Sequence, residues 1–340
     1  MHKQVAEGKN KMSKSKLKIA FYWAASCGGC EIAVLDINEK ILEVVQLADI
    51  VFWPVAIDVK YKDVEAMPEK SIDITFFNGS IRNSEQEHMA KVLRQKSKTL
   101  VAFGSCAHQG SVPGLANLND KKEIFDQVYV KDKSNINPQA VTPKTQTQVK
   151  EGTITIPEFY DTVKTLAQTV DVDYYLPGCP PPVTLIAAAV DAIASNNLPP
   201  KGSVLAPLKA VCDECPRKRE NKKIGKIYRV YEKAPEPEKC LLEQGIICMG
   251  LATRSGCGAQ CLKVDMPCTG CGGPAPNMPE QGAAMVTALA SILGYEGEPG
   301  KAKYTEKEIE TLLSQVKDPV GTFYMYSLPA SILKRKVIKK

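Results

Sequence analysis

Residues 17–36 read LKIAFYWAASCGGCEIAVLD. The run LKIAFYWA (17–24) is apolar apart from Lys18, which predicts a strand of a sheet covered by helices. The tight CGGC follows, and CEIAVLDINEKILEVVQLA (30–48) then takes up helical periodicity. Strand, cysteine-bearing turn and helix in direct succession are the opening of a βαβ unit.

The same alternation continues to residue 196. Further strands are expected at DIVFWPVAI (49–57), IDITFFNGS (72–80), TLVAFGS (99–105) and VDVDYYLPG (170–178). SEQEHMAKVLRQKSK (84–98) has helical period, and PPVTLIAAAVDAIASN (181–196) opens a helix with prolines, whose missing N–H groups do little harm there. The expected fold class is α/β, a flavodoxin-like, doubly wound parallel sheet over residues 16–200, followed by an irregular Cys-rich unit over 201–280. Residues 281–340 are expected to hold C-terminal helices, at EQGAAMVTALASILG and TEKEIETLLSQVK, and a basic tail. Residues 1–15 carry no periodic pattern and read as a disordered tail, with Met12 a second candidate start beside Met1. A polar stretch near 131–157, with no apolar period, reads as an extended surface loop.

The 340 residues carry a net charge of +6, with 44% hydrophobic and 24% charged side chains. No apolar run is long enough for a bilayer, which needs about 20 residues, so no membrane span is expected. No basic stripe interleaved with aromatics marks a nucleic-acid surface. The one basic cluster, Lys334 to Lys340, reads as a solvated tail. The N-terminus has no secretory pattern, and a cytoplasmic location is expected.

Twelve cysteines make three sets of four: Cys27, Cys30, Cys106, Cys179, Cys212, Cys215, Cys240, Cys248, Cys257, Cys261, Cys268 and Cys271. Disulfides are rare in a reducing compartment. Zinc suits a CxxC pair as well as an iron–sulfur cluster does. The first four cysteines favour a cluster, because Cys27 and Cys30, Cys106 and Cys179 each follow a strand, and open parallel sheets gather ligands beyond their strands' carboxyl ends. The glycines of CGGC let backbone N–H groups approach sulfur, and the prolines of PGCPPP stiffen the chain around Cys179. His108 is a candidate neighbour of that site or a packed histidine, and Asp58 a candidate neighbour or a plain loop carboxylate. Between 201 and 280 the chain is rich in Cys, Gly and Pro, so metal bonds are expected to supply its stability.

These motifs resemble those of a known family. CGGC (27–30), GSC (104–106) and PGCPP (177–181), then CDECPR (212–217), CLLEQGIIC (240–248), MGLATRSGC (249–257) and PCTGC (267–271), resemble in order the small subunit of NiFe hydrogenases. The resemblance implies a proximal 4Fe-4S cluster on Cys27, Cys30, Cys106 and Cys179. It implies a distal one on Cys212, Cys215, Cys240 and Cys248, with cysteine at 212 where many members have histidine. It implies a medial one on Cys257, Cys261, Cys268 and Cys271, with Cys261 where many periplasmic members have proline and a three-iron cluster. Spacing alone permits other pairings of the last eight. Arg217 and Arg219, beside the distal set, are candidates for tuning that cluster or for docking, against plain solvated arginines.

CGGCEIAVLD and CDECPR most resemble the cytoplasmic methanogen type, the methyl-viologen-reducing hydrogenases that do not reduce the deazaflavin coenzyme. That type implies an oxidoreductase subunit without the catalytic NiFe centre, a large-subunit partner that splits dihydrogen, and onward transfer to a 2Fe-2S subunit and heterodisulfide reductase. The small subunit of a deazaflavin-reducing hydrogenase or of a sulfhydrogenase, a hydrogen-sensing regulatory subunit and a zinc-bound scaffold are the alternatives.

Overall fold

The computed structural model describes residues 16–294 and 305–336. Five strands, β1 (Leu17–Trp23), β2 (Ala48–Phe52), β3 (Ile72–Asn78), β4 (Ser97–Phe103) and β5 (Tyr174–Leu176), form one sheet in the order β2-β1-β3-β4-β5. Every pairing in it is parallel. This is the flavodoxin-like order, with its switch point between β1 and β3. Register places Ile19 beside Ile74 and Phe21 beside Phe76, so that alternate residues share a face. One face buries Ile19, Phe21, Phe76 and Phe103 under α1 (Gly29–Leu35) and a later helix, α4 (Val183–Ala194). The other buries Tyr22, Phe77 and Leu100 under α3 (Ser84–Lys96), which contributes Met89. All five expected strands are present, and the prolines shorten two: the second stops at Phe52, ahead of Pro54, and the last spans three residues before Pro177.

Three expectations change. The helix expected over 30–48 is two, α1 and α2 (Ile41–Leu47), because Asn38 takes φ 54° and breaks the spiral between them. The polar stretch near 131–157 is not all loop: Gln146–Val149 and Gly152–Thr155 pair as an antiparallel hairpin. Its Thr, Val and Ile residues favour extended backbone, yet both faces are largely exposed, so no apolar alternation marks it. The basic end is not wholly solvated: Lys336 pairs with Glu123, Arg335 donates to Thr162, and the Lys334 carbonyl accepts from Asn117 Nδ2 at 2.9 Å. Residues 1–15, with both candidate starts, and 337–340 lie outside the described residues.

Beyond the sheet the chain runs through short 3-10 turns and isolated bridges. Its core unites Val211, Leu241, Ile246, Met249 and Leu262 with Met285 and Leu289 of α5 (Gln281–Ile292) and with Phe323 and Leu328. The segment after the Cys-rich stretch thus completes that stretch's apolar core. Among the described residues no helix is long and apolar enough to cross a membrane.

Candidate metal centres

Cys27, Cys30, Cys106 and Cys179 come together at the carboxyl edge of the sheet. Gly28 caps α1 at φ 82°, which turns the chain sharply enough to put Cys30 on the first turn of the helix and Cys27 before it. The Gly29 N–H points at Cys27 Sγ, 3.4 Å away. Gly104 follows β4 at φ 84°, and a Cβ there would lie 2.4 Å from Cys30 Sγ, so only glycine lets Cys106 approach from the next turn. Burial pushes the Cys30 thiol up, and the facing Cys106 and Cys179 push it further. Burial likewise lifts Cys106 to about 12, with Cys179 and Cys27 adding to it.

The remaining eight thiols also lie close to one another. Burial raises Cys212 to about 12, reinforced by Cys248, Cys240 and Cys215. Burial raises Cys271 to about 11, with Cys257, Cys179 and Cys261 as its thiol neighbours. Cys268 is raised by burial and then by Cys248 and Cys271. The sets meet: the Cys179 N–H reaches the Cys271 thiol, and the Cys268 N–H lies 3.3 Å from Cys248 Sγ. A cavity of about 360 Å³ lies between Cys179 of the first set and Cys257, Cys261, Cys268 and Cys271.

Like charges packed this closely cannot all ionise unless cationic metal offsets them, and soft thiolates suit iron–sulfur clusters. A tetrahedral zinc site would hold its sulfurs about 3.8 Å apart, given Zn–S bonds of about 2.3 Å. Among the described residues no three His, Cys, Asp or Glu side chains gather as around a single ion. The donor set and the cavity fit iron–sulfur clusters, with backbone N–H groups directed at sulfur.

The other candidates fall differently. Asp58 is exposed and pairs with Lys60, which holds its carboxyl below the usual range; the cavity it lines contains no cysteine. His108 is packed against the Tyr175 ring at 4.7 Å, and burial, then Arg254, lowers it to about 4, so it is neutral at pH 7. Arg217 is neither solvated nor a docking residue. Its side chain is 2% exposed, and it donates to the carbonyls of Leu262, Glu236 and Lys239 and pairs with Asp265, lacing the loops around Cys240 and Cys261 together. Arg219 lies near enough to lower the Cys212 pKa against the larger effect of burial.

Three supporting side chains carry little signal in the sequence. Glu31 is buried behind Cys30, where Trp53 Nε1 and Asn78 Nδ2 donate to it at 3.2 and 3.3 Å; burial nonetheless raises its pKa. Glu214 accepts the N–H groups of Gly256 and Gly258 at 3.0 and 2.9 Å, clamping the Cys257 loop. Gln281 Nε2 donates to the Gly270 and Gly273 carbonyls on either side of Cys271, at 3.0 and 3.2 Å. Only position offers a hint: Glu31 abuts a candidate ligand and Glu214 lies inside CDEC.

A doubly wound sheet with thiols at its carboxyl edge, joined to a second thiol-bearing unit, defines an iron–sulfur type of redox subunit. Residues 27–193 match the family model of the NADH ubiquinone oxidoreductase 20 kDa subunit. The iron-sulfur subunit of the F420-non-reducing hydrogenase of Archaeoglobus profundus is 42% identical over 331 residues, 95% of this chain and 99% of that protein. The corresponding subunit of the F420-non-reducing hydrogenase of Methanothermobacter thermautotrophicus is 37% identical over 328 residues, 96% of this chain and 98% of that one. A solved NAD+-reducing [NiFe]-hydrogenase chain covers 54% of this chain and 94% of its own length at 26% identity, with a TM-score of 0.47. The chain belongs to the family of F420-non-reducing hydrogenase iron-sulfur subunits, of the NiFe small-subunit type, and is a hydrogenase subunit, an oxidoreductase.

Proposed function

We propose that the chain is the electron-transfer subunit of a hydrogenase, that its twelve cysteines hold three 4Fe-4S clusters, and that it binds a large subunit carrying the NiFe site. Clusters in these positions supply one-electron carriers without making or breaking substrate bonds. The observation that carries the reading is the end-to-end contact of the thiol sets, Cys179 to Cys271 and Cys268 to Cys248. It supports a reading with Cys257, Cys261, Cys268 and Cys271 as the medial set and Cys27, Cys30, Cys106 and Cys179 as the entrance. Cys212, Cys215, Cys240 and Cys248 form the exit, where residues 217–239 hold nine basic and four acidic side chains.

The chain's own work is to keep these thiols apart, shield them from water and aim N–H groups at them. Exposed Trp23, Ile32 and Leu35 flank the entrance and suit burial against the large subunit. Onward transfer goes to a 2Fe-2S subunit and heterodisulfide reductase in the cytoplasm, on the strength of the likeness to the methanogen proteins.

Anaerobic purification from the native cell, with iron, sulfide, nickel and subunit analysis, tests this. About twelve irons per chain are expected, the sum over three four-iron clusters; about four, or zinc without acid-labile sulfide, overturns it. Cys261→Pro is expected to leave a three-iron medial cluster, and an unchanged EPR spectrum in that variant rejects Cys261 as a ligand.

A further inference from the structure

Ser111 follows Cys106 by five residues, on the turn that leaves the first thiol set. It is 0% exposed, and its hydroxyl has no hydrogen-bond partner among the described residues. Its backbone sits at φ 45°, ψ −150°, a conformation that glycine adopts freely and residues with a Cβ rarely do. Nothing lets it relax, because its N–H donates to the Tyr326 carbonyl at 3.1 Å and its own carbonyl accepts from Gly114 at 2.9 Å. A buried, unpaired hydroxyl and a strained backbone at one residue both act against stability, and glycine would relieve both. Such a residue calls for a role that the bare protein does not display.

The surroundings indicate the role. The hydroxyl lies within reach of the thiols of both Cys106 and Cys179, without a well-aligned hydrogen bond to either. It therefore faces the gap between two ligands contributed by different strands, where sulfur is the acceptor at hand.

We propose that Ser111 is a positioning and tuning residue whose hydroxyl donates a hydrogen bond to a sulfur of the proximal cluster. The inference rests on the assignment of Cys27, Cys30, Cys106 and Cys179 to that cluster. A donor to sulfur stabilises the reduced, more negative state and so raises the reduction potential. Ser111 thereby sets how readily the entrance of the relay accepts an electron.

The test is an EPR-monitored redox titration of the intact hydrogenase complex with wild type, Ser111→Gly and Ser111→Ala. Both variants remove the hydroxyl, but only glycine removes the strain. The expected result is the same downward shift in both, on the order of tenfold in the reduction equilibrium, or about 59 mV for one electron. Ser111→Gly is expected to melt no lower than wild type, and Ser111→Ala below Ser111→Gly. Deuterium coupling to the cluster in D2O is expected to weaken in both. A proximal signal within twofold of the wild-type equilibrium in both variants overturns the inference. Failure of the cluster assignment shows separately, as a Cys30→Ser complex that keeps every EPR signal of the wild-type complex.

Discussion

The two halves of this chain are stabilised by different physics. In the sheet half, Phe52, Phe77, Leu100 and Leu176 are all 0% exposed between layers of helix, and backbone groups pair along parallel ladders. In the Cys-rich half regular structure is scarce, and loops are held by side chains such as Arg217, Glu214 and Gln281. The first half is a scaffold that carries a site at its edge. The second is built around its sites, so what it binds and how it folds are one question.

Removing iron breaks this comparison most forcefully. Anaerobic chelation is expected to destabilise the Cys-rich half by on the order of 10 kcal/mol, the scale of structural metal sites. Amide exchange should then become fast over residues 211–275 while β1, β3 and β4 stay protected; equal loss of protection in both halves would show that the sheet, too, depends on metal.

Truncating the other core gives the reverse. Phe77→Ala, in the centre of the sheet, is expected to cost about 3–5 kcal/mol in denaturant unfolding without changing iron content. Arg217→Ala should cost somewhat less, about 2–3 kcal/mol, because it strips donors from three carbonyls but leaves Asp265 partly in water. It should also loosen the loops at Cys240 and Cys261 and lower iron retention. Arg217→Lys is expected not to rescue, since one ammonium cannot span acceptors arranged for a planar fork.

Acid sharpens the contrast. Burial alone would raise Asp173, but Arg94 at 2.6 Å, Lys201 at 2.6 Å and the Leu100 N–H at 2.8 Å outweigh it and hold the carboxyl below its usual range. With the folded pKa depressed, its contribution is present above the unfolded value of about 3.9 and is lost as pH falls through the folded one. Asp173→Asn should therefore destabilise the sheet half by about 2 kcal/mol at pH 7 and progressively less below pH 4. A destabilisation that does not change with pH would contradict the sign.

The smallest expected effect concerns the exit. The basic excess around Cys212 and Cys240 should make electron delivery to an acidic acceptor slow by about threefold between low and high salt. Stopped-flow rates against ionic strength measure it, and Lys226→Glu should flatten the dependence.

How far the chain was legible differs between the halves for a physical reason. Strands and helices of the sheet announce themselves through apolar runs and local periods, and LKIAFYWA, TLVAFGS and the helix at 84–96 form where periodicity puts them. The hairpin at 146–155 was missed because it buries neither face, and the break at Asn38 because one left-handed residue barely disturbs a helical pattern. In the site, cysteine positions were legible from spacing and strand ends. The solvated and docking readings of Arg217 fail because a charged residue in a charged run looks exposed until the carbonyls that enclose it are known. Asp58 ends the expected second strand, but that strand stops at Phe52 and leaves the carboxylate on a surface loop.

By itself the sequence determined that a parallel sheet would present Cys27, Cys30, Cys106 and Cys179 at one edge, since strand order and direction follow from local pattern and chain connectivity. Only the tertiary structure decided that Cys271 meets Cys179, that Cys268 meets Cys248 and that Ser111 faces two thiols with its hydroxyl unpaired. Those contacts join loops far apart in the chain, and a loop's conformation is set by what packs against it, which no local period records.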